Sequence, residues 1–298
     1  MFSHILITSR PSQWIKNLVV FIPGLFSMNE SWSFQDYNSV TGILIGSTFA
    51  FFAFTFITIA IYCVNDIFDI KNDKKHPVKK NRPIASGRLS ISKAIYISIV
   101  CIFISFAISG FISFYLSAAI FIYMVLMLLY SCFLKGVIFL DVFLISSGFV
   151  IRVIAGAMAI EVPISIWICL CMMSGSLFIA VSKRFSEIKT SEDNFIFQRP
   201  VLINYSILIK KKSILASIMG MTIIGYSFYT IFADNLPDNN LMLLTIPSVI
   251  VGMGRYFYLV TESDLGENPE SIVVNDFVMR IAIVSWLLLV GGILYFWR

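Results

Sequence analysis

Charge is what this chain has least of. Asp, Glu, Lys and Arg make up 13% of its 298 residues, about half the roughly 25% usual in soluble domains. So few charges cannot cover the surface of a soluble protein of this size, which points to a polytopic membrane protein. Cysteine is also sparse: Cys63, Cys101, Cys132, Cys169 and Cys171 lie in or beside apolar runs, and none forms a C-x-x-C pair. This argues against a disulfide framework or a zinc site and for small apolar packing residues. No Ser/Gly linker, low-complexity tract or soluble domain interrupts the sequence, so residues 1–298 read as one integral membrane domain. The opening stretch, MFSHILITSRPSQWIKN, lacks the short apolar core and small-residue cleavage site of a signal peptide. Insertion is expected to rely on the first membrane segment itself.

What the chain has instead is apolar residues, 58% of the total and 28 of them Phe, with a mean hydropathy of +0.87. Nine apolar segments can be marked, at 12–28, 41–64, 91–111, 113–134, 137–160, 163–182, 213–233, 241–260 and 277–297. Most are near the 20 residues that a bilayer core requires of a helix, so the expected fold is all-α with nine transmembrane helices. The first is the weakest. Its apolar part, LVVFIPGLF, is too short to span alone, and its polar start must count as part of the helix.

The charges sort by side. With the N-terminus in the cytoplasm, the loops at 65–90, 135–136, 183–212 and 255–276 share its face, and 20 of the 22 Lys and Arg residues lie there or at its boundary. The exceptions are Arg152, inside a segment, and the last residue, Arg298. The opposite loops carry Glu30, Asp36, Glu161, Asp234 and Asp238 and no lysine. This is the positive-inside pattern of a plasma-membrane protein. The basic balance is therefore topological and is no sign of a nucleic-acid partner. Length and polarity concentrate on the cytoplasmic face, where a site is to be sought. Lys210–Lys212 read as a topological stop beside the next span.

Directly after the second segment comes VNDIFDIKNDKKHPVKKNRPIASG, residues 64–87. Asp66, Asp69 and Asp73 have spacing i, i+3, i+7, which puts all three on one face if the helix of 41–64 continues. Two readings compete. The carboxylates and the lysines that follow can simply neutralise one another at the lipid surface. Alternatively the aspartates hold Mg²⁺, a hard cation that takes carboxylate and phosphate oxygens, with Asn65 beside them and Arg82 gripping a diphosphate. At the N-terminus, Gln13, Lys16 and Asn17 form a polar stripe on an apolar helix. That stripe is either ordinary interfacial anchoring, with Trp14 and a snorkelling Lys16, or part of a site. Arg152 is an intramembrane charge that needs a partner, with Asp141 or another acid as a structural choice.

N65-D66-x-x-D69-x-x-x-D73 followed by NRPIASG (81–87) resembles the first aspartate-rich motif and loop of the UbiA superfamily of membrane prenyltransferases. The resemblance implies nine helices around a central cavity and a metal-diphosphate site on the cytoplasmic side. The second aspartate motif of that superfamily should follow the fourth segment, where this chain reads YSCFLK (130–135) and then Asp141. RPSQWIKN (10–17), YSCFLK, D141 through RVIAG (152–156), SKRFSE (182–187) and GENPESIVVND (266–276) together resemble the decaprenyl-phosphate phosphoribosyltransferase branch.

That branch implies transfer of 5-phosphoribose from phosphoribosyl pyrophosphate to a polyprenyl phosphate, with release of pyrophosphate and Mg²⁺ as cofactor. The partners are then a membrane lipid and a soluble sugar phosphate, and a homo-oligomer is compatible with them. The expected Mg²⁺ ligands are Asp66, Asp69 and Asp73, with Asn65 and Arg82 on the diphosphate. Lys16, Lys135, Lys183 and Arg184 are candidates for the 5-phosphate or the lipid phosphate, and Tyr130 and Asp141 for the ribose. Asn17 and Arg152 complete the substrate-binding set, and Glu187 at i+4 is a candidate to orient Lys183. The lipid phosphate is already anionic, so no general base is assigned, and His76 reads as a loop residue. An ordinary prenyltransferase of the same fold is the alternative. A transporter is a third reading, but the sequence has no inverted repeats with broken mid-membrane helices.

Overall fold

Helices account for the fold of the computed structural model, which describes residues 2–76, 78–190, 205, 212–263 and 265–298. Most of KTSEDNFIFQRP, with Lys210 and Lys211, lies outside the described residues. In chain order the α-helices are α1 (Phe2–Ser9), α2 (Ile22–Phe26), α3 (Tyr37–Phe68), α4 (Ile70–Asp73), α5 (Ile91–Ile112), α6 (Phe114–Leu129) and α7 (Leu140–Ala159). They continue as α8 (Ile166–Thr190), α9 (Lys212–Phe232), α10 (Ile246–Glu262), α11 (Pro269–Asn275) and α12 (Phe277–Trp297).

Among the described residues, eight helical stretches are long and apolar enough to cross a membrane. They correspond to eight of the nine expected segments. The remaining one is shorter: a 3-10 helix, Pro11–Phe21, runs into α2. At about 2.0 Å per residue in the 3-10 part and 1.5 Å in the α part, these helices reach roughly 30 Å, the thickness of a bilayer core. Their two ends are fixed at opposite levels. Arg10 is ion-paired to Asp66 at the end of α3, while Arg298 at the end of α12 donates to the Phe26 carbonyl at 2.6 Å and pairs with Glu30.

Local sequence explains the boundaries. Asp36, Ser113 and Asp276 cap α3, α6 and α12 by accepting from the backbone N–H of Asn38 (3.0 Å), Tyr115 (3.1 Å) and Met279 (2.9 Å). Pro occupies the first turns of α2, α10 and α11, where its missing N–H costs nothing. Helix α6 widens into a π turn at Tyr130–Leu134, closed by Lys135 N–H to the Tyr130 carbonyl at 3.0 Å. Such bulges re-aim side chains and occur often at functional sites.

The continuous helix expected beyond residue 64 stops at Phe68. Asp69 caps it with φ −88° and ψ 0°, and α4 begins anew at Ile70. The three aspartates are therefore not one straight stripe.

Helices α3 and α7 are the inner members. The apolar windows of their spans are 56% and 50% buried, against 22% for α5. Ser98 and Ser105 of α5 donate to the carbonyls of Ala60 (3.2 Å) and Ala53 (2.8 Å) on α3, a way for helices to associate where burial from water drives nothing. Helix α7 meets the 3-10 helix Pro11–Phe21 through Gly156: a Cβ there would stand 2.1 Å from the Val20 carbonyl oxygen. The outer faces carry Phe103, Phe111, Phe114 and Phe296, all at least 70% exposed and suited to lipid.

Candidate active site

The loops that charge sorting assigns to one face gather around an outer cavity of about 800 Å³, lined by Asn65, Asp69, Asn72, Asp73, His76, Arg82, Cys132, Lys135, Lys183, Glu187 and Asn268 among others. A smaller chamber of about 230 Å³ continues inward between α3, α6, α7 and α8. Arg10, Gln13, Asn65 and Lys183 line both and form the neck.

At the neck the end of α3 delivers Asp66, which is 2% exposed. Its carboxylate pairs with Arg10 and accepts from Arg82 Nη1 at 3.2 Å. The same Arg82 nitrogen donates to Asp73 at 2.8 Å, so Asp66 and Asp73 converge on one positive charge despite the helix break. Asp69 turns instead toward the π turn and pairs with Lys135. Arg10 has a left-handed backbone (φ 49°), and its guanidinium carbon stacks 4.6 Å from the Tyr62 ring centroid. His76 accepts from the backbone N–H groups of Val78 and Lys79 at 3.2 and 3.3 Å.

These groups suit a divalent metal by donor chemistry. Asp69, Asp73, Asn65 and Asn72 all line the outer cavity with hard oxygens, and Asp66 and Asp73 already point at a cation. Among the described residues, no cluster of three or more Asp, Glu, His or Cys side chains closes around one point. The protein would thus supply only part of a coordination shell, as Mg²⁺ accepts when phosphate and water complete it.

The inner chamber has a different lining. Arg10, Lys16, Arg152, Lys183 and Arg184 face it, with Tyr62, Tyr123, Tyr130, Phe149 and, among the described residues, no carboxylate. The balancing acids stand behind the cations. Lys16 donates to Gln13 at 2.5 Å and pairs with Glu270 of α11 at 2.5 Å. Burial pushes the Glu270 carboxyl up, and Lys16 more than reverses this, holding it below the ordinary carboxylate value. Arg184 pairs with Asp141 at 2.9 Å and Glu187 at 2.5 Å. The π turn brings Tyr130 and Ser131 into the chamber wall.

Three expectations need correction. Asp141 is fully buried and outside the linings of both cavities: it accepts from Arg184 and from the hydroxyl of Tyr205, so it holds other residues in position. Arg152 does not pair with Asp141. It donates to Asn17 (2.9 Å), the Gly148 carbonyl (3.0 Å) and the Tyr123 hydroxyl (2.6 Å), all neutral. Asn17 leaves the Gln13–Lys16 stripe because a 3-10 turn takes three residues, so position 17 rotates toward Thr55 and Arg152. Glu187 pairs with Arg184 one turn back, and its charge also acts on Lys183. The other expected residues, Asn65, Tyr130, Lys135 and Lys183, line one cavity or both.

Sequence reasoning gave no role to Arg10, Glu270, Tyr62, Tyr123 or Tyr205. Arg10 and Glu270 fall inside RPSQWIKN and GENPESIVVND, but nothing local announces their partners.

The profile of the UbiA prenyltransferase family matches residues 20–282. A decaprenyl-phosphate phosphoribosyltransferase of Mycolicibacterium smegmatis is 31% identical over 96% of this chain and 91% of its own length. Another, from Corynebacterium glutamicum, is 30% identical over 93% and 82%. A UbiA homologue from Archaeoglobus fulgidus, solved with GPP and Mg²⁺, shares the fold with a TM-score of 0.70 at 15% identity, covering 98% of this chain and 99% of that one.

Proposed function

The chain belongs to the UbiA prenyltransferase family, and on that footing we propose that it transfers 5-phosphoribose from phosphoribosyl pyrophosphate to a polyprenyl phosphate, releasing pyrophosphate. The relatives that match nearly the whole chain carry the name of that reaction. The observation that carries the reading here is the inner chamber, faced by five cations and, among the described residues, no carboxylate. An ordinary prenyl donor brings one diphosphate. The proposed pair brings a diphosphate, a sugar phosphate and a lipid phosphate, and so needs more positive charge.

In this reaction the anomeric C1–O bond breaks and the electron pair leaves with pyrophosphate. A lipid phosphate oxygen, already deprotonated at neutral pH, forms the new bond to C1. No proton has to be removed, which agrees with the absence of an assigned base. Arg82 and Lys135 stand at the outer cavity, where they can neutralise charge growing on the leaving group, the largest contribution a preorganised site makes. Asp66, Asp69 and Asp73 would hold Mg²⁺ against the diphosphate, with Asn65 as neighbour. When bound, the ion supplies Lewis-acid stabilisation of the leaving oxygen. Tyr130, at the mouth of the inner chamber, is the candidate ribose contact.

The protein is multi-pass, and the positive-inside pattern supports a plasma-membrane location with the site facing the cytoplasm. The roughly 30 Å reach of Pro11–Phe26 supports nine spans, the first being the thin one.

The test uses purified protein in detergent or native membranes, with labelled phosphoribosyl pyrophosphate and a polyprenyl phosphate. Label appearing in lipid with Mg²⁺ present is expected. Transfer from a prenyl diphosphate to an aromatic acceptor, with no sugar transfer, would overturn the reading.

A further inference from the structure

Arg152 presents an unusual electrostatic situation. It lies on α7, in the interior of a membrane-spanning bundle, and is 5% exposed. Its three hydrogen bonds go to an amide, a carbonyl and a phenol. Its guanidinium carbon sits 4.6 Å from the Tyr123 ring centroid and 5.4 Å from that of Phe149. These contacts orient the group without neutralising it. Among the described residues no carboxylate lies within ion-pair distance of Arg152, whereas Arg10 and Lys16 each have one and Arg184 has two. A bare charge in such a place is costly and persists only where something compensates it.

The direction of compensation is built in. Arginine has five N–H groups, and three are used. Arg152 lines the inner chamber together with Lys16, Lys183 and Arg184, and among the described residues no acid shares that surface. Asp69, Asp73 and Lys135 line the outer cavity instead. We propose that the inner chamber is a second phosphoryl site, separate from the diphosphate site at the outer cavity, and that it takes a phosphate monoester with Arg152 as its deepest cation. Two molecules of the proposed reaction carry that group, the sugar through its 5-phosphate and the lipid through its headgroup. The proposal rests on that reaction only for the identity of the monoester.

The experiment measures binding rather than turnover. Ribose 5-phosphate, farnesyl phosphate and inorganic pyrophosphate with Mg²⁺ are titrated into wild-type protein and Arg152→Gln. In the variant, at least one monoester is expected to bind about tenfold or more weakly, the value of one charge-assisted hydrogen bond, while pyrophosphate changes less than about twofold. Loss confined to ribose 5-phosphate assigns the chamber to the donor, and loss confined to farnesyl phosphate assigns it to the acceptor. Unchanged monoester affinity, or equal loss for all three ligands, overturns the proposal. If Arg152→Gln does not fold, wild-type protein decides alone: saturating pyrophosphate should leave monoester binding intact, and mutual displacement would mean one shared site. Absent sugar transfer with intact monoester binding would sink the reaction and leave the second site standing.

Discussion

Arg10 and Asp66, 56 residues apart in the chain, are ion-paired at the neck between the two cavities. The pair ties the start of the 3-10 helix Pro11–Phe21 to the end of α3, and Arg82 joins it from the following loop. A carboxylate as buried as Asp66 is held by its cations, and removing one leaves charge uncompensated.

Substituting Asp66 or Asp73 by Ala should abolish Mg²⁺-dependent turnover while the protein stays folded. Turnover titrated against Mg²⁺, beside thermal unfolding in detergent, provides the check. Wild-type activity in either variant removes the metal assignment.

Lys135→Ala should lower kcat by about 10²–10³, the usual loss of one preorganised charge-stabilising group. Lys135→Arg, which keeps the charge beside Asp69, should recover part of it. A change confined to thermal stability would reduce Lys135 to a structural ion pair.

Lys16 and Glu270 should behave as one unit. In a double-mutant cycle of Lys16→Ala and Glu270→Gln, donor KM should show a coupling of about 0.5–3 kcal/mol. The Glu270 carboxyl is held below its ordinary value. Its stabilising contribution is therefore present at neutral pH and is lost only as pH falls through that lowered value. Coupling that disappears at neutral pH would contradict the pairing.

Gly156→Ala should destabilise the protein by about 1–3 kcal/mol, the range for overpacking, because the added methyl would meet the Val20 carbonyl at 2.1 Å. Activity should fall with it, since the 3-10 helix that Val20 belongs to also carries Lys16 and Asn17. Gly220→Ala, with nothing within 4 Å of its Cβ, is the control. Equal unfolding temperatures for the two variants would rule out the close approach.

Much of this was legible beforehand. Segment lengths and charge sorting marked out the bundle, and the Asp66–Asp73 spacing with its NRPIASG tail located the outer cavity. The break at Asp69 was not legible, because Phe68-Asp69-Ile70 contains no Pro or Gly to announce it. The suggested Arg152–Asp141 pair fails on distance. Eleven residues of helix put the two about 16 Å apart, beyond the reach of their side chains. Each found partners from another helix, Asn17 from the 3-10 helix Pro11–Phe21 and Arg184 from α8. The Lys16–Glu270 pair joins positions near opposite ends of the chain, and no local pattern encodes such a meeting.

The tight winding of Pro11–Phe21 sets a rule for length changes there. Side chains at every third position are stacked in a column, so Gln13 and Lys16 stay in phase only if residues enter or leave in threes. A single-residue deletion ahead of Lys16 would swing its ammonium through about a third of a circle, out of the wall it shares with Arg184. Evolution and engineering alike can lengthen this segment by whole triplets with far less harm than by one.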